Sequence, residues 1–262
     1  MSYISDFQSS PISLFGVNGG NTSTDASLNN LLGSKFRSDD DREFVLVQNG
    51  AAALVSGVLV QSPASIGANH TGLTLSTAAI GATTITATLG GTAVTANQYQ
   101  GGFLVISAGT GIGQTFKIKS HPAQASTSGT VVLTLEDPLS VATLTSDSKG
   151  SLTLPQYGSA NGTAVTTFGV VVSPTTATGR TIGATIYPIP ASTSTVPTYG
   201  FIQSAGPVAV LNDSATAIGL DVMPSSAVAG AVVTYVVATR NRVGTSTVAG
   251  ENTKAQLITL QL

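Results

Sequence analysis

Residues 84–89 read TITATL, which puts Ile85, Ala87 and Leu89 on one side of an extended chain and Thr84, Thr86 and Thr88 on the other. A strict period of two over this length predicts a strand with one face in a core and the other in water. Residues 115–119 repeat the pattern, Phe116 and Ile118 alternating with Thr115, Lys117 and Lys119. Threonine suits the outer face because its branched Cβ favours extended backbone while its hydroxyl is hydrated.

Outward from these two strands, short β-prone runs bounded by Gly, Pro and Asn fill the chain. They cover 44–48, 53–61, 83–89, 103–107, 131–136 and 152–154, and then 168–172, 182–187, 200–204, 208–211, 232–239 and 256–260. Helical signals are scarce, and the one capped, apolar-periodic window, 27–32, is too short to predict a helix. Gly/Asn-rich joints at 65–73 and 156–163 separate the two series. The reading is an all-β protein with a barrel-like or sandwich core built from 43–70 plus 159–262, an inserted second β module over 71–158, and an extended N-terminal arm over 1–42. If the module is inserted, strands before residue 70 must complete a barrel with those after 160. The first 34 residues carry apolar anchors, Phe7 and Phe15 among them, without periodicity. They are expected to lie on a partner, and their removal to leave the β core folded.

The 262 residues are 42% apolar and only 8% charged, with no Cys and no Trp. Disorder is excluded by that apolar share combined with a net charge of -2. Ten basic residues against twelve acidic ones give no field that would gather phosphates, so no nucleic-acid partner is expected. The absence of Cys removes disulfides, zinc thiolates and thiol nucleophiles. No apolar run reaches the length of a membrane-spanning helix, and the opening MSYISDFQSS lacks a secretion signal. The expectation is a soluble product made in the host cytoplasm, with no membrane partner. Charge is concentrated: seven of the nine residues 35–43 are charged, and the next 73, 44–116, carry none.

Little in the sequence suggests chemistry. His70 and His121 sit in turn-like contexts (ANHTG, SHPAQ), where histidines are ordinarily solvated, and no Gly-x-Ser-x-Gly elbow accompanies them. Glu136 and Asp137 are adjacent, face opposite sides of an extended chain and precede Pro138, so they end a strand. Asp39–Asp41 lacks the alternating ligands, glycine and closing glutamate of a calcium loop. Gly109, Gly111 and Gly113 match neither dinucleotide nor Walker spacing and read as a hairpin turn. No catalytic, metal or cofactor residues are assigned, and no small-molecule substrate is expected.

The run 43–61, EFVLVQNGAAALVSGVLVQ, preceded by Asp39, Asp40, Asp41 and Arg42, resembles the opening of tailed-phage head decoration (cement) proteins. The phrase 199–208, YGFIQSAGPV, and the closing rhythm of 243–262, with Gly244, Ala249, Gly250 and Glu251, are similar to phrases of phage virion proteins. Residues 79–93 and 101–118 look like a β module of phage head proteins. The resemblance implies a homotrimer on the capsid surface of the virion, clamping neighbouring copies of the major capsid protein. Tail or fibre components, and carbohydrate-binding virion modules, share such Gly/Thr/Ser-rich β text. Candidate partner contacts are Phe7, Phe15, Phe36, Arg37, Arg42, Phe44, Arg240 and Arg242. Phe36→Ala or Phe44→Ala is expected to weaken partner binding.

Overall fold

The computed structural model describes residues 22–125, 128–159, 168–236 and 240–262. The protein is all-β, and the described residues form two sheets that share no strand.

The first sheet is a closed barrel. Its six strands are β4 (Leu73–Leu75), β5 (Thr84–Thr88), β6 (Phe103–Ala108), β7 (Thr115–Ser120), β8 (Thr130–Leu135) and β9 (Lys149–Thr153), paired in the ring β4-β5-β8-β7-β6-β9 with every pair antiparallel. The TITATL alternation sets its polarity. Ile85, Ala87 and Leu89 are buried with Leu104, Ile106, Phe116, Ile118 and Leu133 in one interior cluster drawn only from residues 73–152. Thr84, Lys117 and the other alternate residues face outward, the inverse of the polarity of a bilayer-spanning barrel. Closure leaves this sheet with no unpaired edge.

The second sheet has ten strands: β1 (Lys35–Arg37), β2 (Glu43–Gln48), β3 (Leu59–Gln61), β10 (Val171–Val172), β11 (Thr181–Thr185), β12 (Tyr199–Leu211), β13 (Asp221–Pro224), β14 (Val232–Thr234), β15 (Gly244–Ser246) and β16 (Ala255–Gln261). The order is β10-β3-β11-β12-β16-β15-β13-β14, with β2 also paired to β12 and β1 to β2. The sheet curls into a half-barrel. Gly230, in the turn between β13 and β14, donates to the Ser173 carbonyl at 2.8 Å and accepts from the Leu59 amide at 2.7 Å, so the two ends of the sheet meet.

β12 organises this sheet. Its first half pairs with β2 and its second half with β16, the exchange falling at a bulge between Gln203 and Ala205. Gly206 follows at φ +84°, and a Cβ there would stand 2.6 Å from the Asp41 carbonyl oxygen, so only glycine lets the β1–β2 turn approach the strand. The two predicted runs 200–204 and 208–211 are therefore one strand.

β2 is buried on both faces, which explains its unbroken apolar text. Val45 and Val47 pack with Val60, Ile182 and Ile202 on one side, and Phe44 and Leu46 pack with Leu28, Tyr199 and Phe201 on the other. Leu28 comes from a 3₁₀ turn, Ala26–Leu31, whose cap is the Asp25 carboxylate accepting from the Ser27 amide at 2.9 Å. This corrects the arm. Residues 22–42 lie on the chain's own sheet, tied by a Ser23–Tyr199 bridge, the 3₁₀ turn and β1. Phe7 and Phe15 fall outside the described residues.

The joints move as well. Asn69 accepts from the Gly90 amide through its backbone oxygen and from the Gly91 amide through Oδ1, both at 2.9 Å, which ties it to the barrel. The Tyr157 carbonyl accepts from the Gln48 amide at 2.9 Å, and its side chain packs on the sheet's core. Of the predicted run 53–61, only Leu59–Gln61 is strand, because Gly57 turns the chain at φ +73°. β1, β4, β13 and β15 have no counterpart among the predicted runs, since three or four residues are too few to show a period.

Candidate partner-contact surfaces

Three regions carry the residues read as contacts or otherwise stand out chemically. The first is the charged hairpin. β1 and β2 pair in the register Lys35↔Val45, Phe36↔Phe44, Arg37↔Glu43, which brings opposite charges together. Lys35 Nζ lies 2.7 Å from Glu43 Oε1, Arg37 2.8 Å from Asp41, and Arg42 Nε 2.7 Å from Asp40 Oδ2. Burial alone would raise the Glu43 carboxyl, but hydrogen bonds from Lys35 and Ser204 and the charges of Lys35 and Arg37 hold it below its ordinary value. Of the seven charges, only Asp39 has no ion pair among the described residues. The Arg42 guanidinium covers the Phe44 ring at 5.5 Å, and the Phe36 ring stacks on it at 6.2 Å. Phe44 itself is 3% exposed. It is a core residue, so of the candidates in this hairpin, Phe36, Arg37 and Arg42 form the accessible face.

The second region is the end of the barrel away from the joints. Because every neighbouring pair in the ring is antiparallel, the β4–β5, β6–β7 and β8–β9 loops emerge at one end. Each carries an exposed aliphatic residue: Ile80 (69% exposed), Ile112 (66%), and Val141 with Leu144. The loops are tied to one another. Gln114 donates to the Gly111 and Val141 carbonyls, and its Oε1 accepts from the Ser140 hydroxyl at 2.8 Å and the Val141 amide at 3.0 Å. Ala78 and Thr143 exchange backbone bonds, and the Thr110 hydroxyl donates to Asp147 Oδ2 at 2.8 Å. The result is an apolar crown on a fixed frame. Sequence reading passed over these four residues, since a single aliphatic residue in a Gly/Thr-rich turn shows nothing until strand order groups the turns.

The opposite barrel end corrects the histidine reading. His70 and His121 are buried, at 0% and 4% exposure, and flank the buried Tyr99. His121 Nδ1–H donates to the Pro122 carbonyl at 2.9 Å, and Nε2 accepts from the Tyr99 amide at 3.0 Å, which requires the neutral ring. His70 Nε2 bonds the Thr92 carbonyl at 2.9 Å, and its Nδ1 meets the Tyr99 hydroxyl. Burial raises the Tyr99 phenol far above its ordinary value, which keeps it a donor. The array plugs the barrel where the chain enters it.

Burial lowers the His121 pKa and the neighbouring His70 adds to this, against the bond to Pro122. A group whose folded pKa lies below its unfolded value of about 6.5 takes up a proton on unfolding. Its contribution is complete above pH 6.5 and shrinks as pH falls through that value toward the folded pKa, by at most about 1.4 kcal/mol per pH unit. Urea midpoints between pH 7 and pH 5 should therefore fall for the parent protein and fall less for His121→Gln, which keeps an acceptor for the Tyr99 amide. Equal slopes would remove His121 from this role.

The third region is the open mouth of the half-barrel, where Arg240 and Arg242 lie. Arg240 donates to the Pro174 carbonyl at 3.0 Å and to that of Thr175, and Arg242 pairs with Asp221 at 3.0 Å. The structure thus scatters the proposed contacts over two sites, the hairpin and this mouth. Among the described residues no group of three or more His, Asp or Glu is placed to hold a metal ion. No helix among them is long and apolar enough to cross a membrane.

No protein-family model, curated protein or solved structure matches the chain.

Proposed function

We propose that this protein is a non-enzymatic virion component that binds the outside of a tailed-phage capsid as a homotrimer and stabilises the mature head. The observation that carries this reading is the barrel crown, a rigid surface of Ile80, Ile112, Val141 and Leu144 suited to burial against another protein. The resemblance of residues 43–61 and 199–208 to phrases of phage decoration and virion proteins suggests the class of partner, the major capsid protein. A protein that binds only the assembled lattice stabilises it by mass action, and three linked copies turn weak contacts into tight attachment.

Apolar burial contributes roughly 25 cal/mol per Å² and is not weakened by salt, whereas exposed ion pairs contribute about 0–1 kcal/mol each and are screened. Six of the seven hairpin charges are already paired within the chain. On purified heads of the encoding phage, the bound fraction should therefore hold from low to molar NaCl, and Ile112→Ser with Leu144→Ser should weaken attachment about tenfold or more. Steep release by salt, or full attachment of the double variant, would overturn the assignment of the crown as the contact. No attachment of the parent protein would overturn the function.

A further inference from the structure

Three of the chain's ten basic residues, Arg180, Arg240 and Arg242, line a single cavity of about 460 Å³. It opens where β3 ends at Gln61, β11 begins at Thr181, β13 ends at Pro224 and β16 ends at Gln261, which is the mouth of the half-barrel. Among the described residues, only Arg242 of the three meets a carboxylate, donating to both oxygens of Asp221 at 3.0 and 3.1 Å and to Gln261 Oε1 at 2.7 Å. Arg240 is held by two backbone carbonyls, which fix its position without cancelling its charge. Arg180 is exposed and has no ion pair among the described residues. Counting side chains, three guanidiniums against the Asp221 carboxylate give the mouth a surplus of two positive charges, in a chain whose side chains sum to -2.

We propose that this mouth is a binding site for a small multivalent oxyanion, a phosphate ester or a polycarboxylate. Guanidinium forks bind both groups through paired N–H donors. Two of the three forks are already anchored, so little side-chain freedom is lost on binding, and the cavity has the size of small-ligand sites. The site is independent of the capsid reading and of the crown.

The test is calorimetric titration of the full chain with pyrophosphate and, separately, with citrate, each against NaCl of equal ionic strength. Saturable binding of one ion per chain is expected for at least one of them, and the preferred ion identifies the source, phosphate or carboxylate. Arg180→Ala, at an exposed and unpaired position, should weaken the dissociation constant at least tenfold. Arg180→Lys should recover it only in part, because the fork is lost while the charge stays. Lys119→Ala, on the barrel, should leave it unchanged. No saturable heat beyond the NaCl control, or equal affinity in the parent, Arg180→Ala and Arg240→Ala, would overturn the proposal.

Discussion

Phe44→Ala is expected to destabilise the ten-stranded sheet by about 3–5 kcal/mol, the usual cost of removing a buried aromatic ring. The ring is 3% exposed and packs with Leu28, Leu46, Tyr199 and Phe201 under the 3₁₀ turn. Its loss also strips the support from the stacked Phe36 ring and the overlying Arg42 guanidinium. Collapse of the cavity is limited, because β2 is pinned between β1 and β12 by its ladder bonds. Tyr199 shares the damage: its hydroxyl donates to Asn29 at 2.5 Å, and burial with the nearby Asp25 charge raises its pKa to about 12. Denaturant midpoints of the sheet transition measure the effect, with Phe36→Ala as the milder comparison because that ring is only partly buried. A loss below about 1 kcal/mol would mean that the 3₁₀ turn and hairpin do not form the layer described. Phe44→Ala is thus a stability variant, and a loss of partner binding in it would report unfolding rather than a broken contact.

Leu133→Ala is expected to cost about 2–5 kcal/mol and to do so in the barrel alone. Leu133 is fully buried in a cluster that contains no residue outside 73–152. The barrel also has no free edge through which it could depend on the second sheet. Two unfolding transitions are therefore expected in the full chain, one moved by Leu133→Ala and the other by Phe44→Ala, with the paired variants additive because the sites share no partner. A single transition that both substitutions shift would show that the barrel and the half-barrel fold as one cooperative unit. Limited proteolysis should agree, cutting near 66–67, between the bond that ties Ser65 to Thr178 and those that tie Asn69 to Gly90 and Gly91, and near 155–156.

The sequence by itself determined what depends on neighbours along the chain. Alternation over 84–89 and 115–119 fixed strand type and the inward face, because side-chain direction in an extended chain reverses with every residue. The glycines at 109, 111 and 113 fixed a hairpin, all three taking positive φ between β6 and β7. Tertiary structure alone decided what depends on pairing across long separations. The barrel closes through Leu73↔Gly150, and the half-barrel is organised by Phe44↔Gln203; neither pairing leaves a local trace. Pairing order then decides which loops share an end. It gathered Ile80, Ile112, Val141 and Leu144 into a crown, and Arg180 with Arg240 and Arg242 into a mouth. It also buried His70 and His121, whose Gly, Asn and Pro neighbours describe the turn they occupy and carry no information about what packs on top of it.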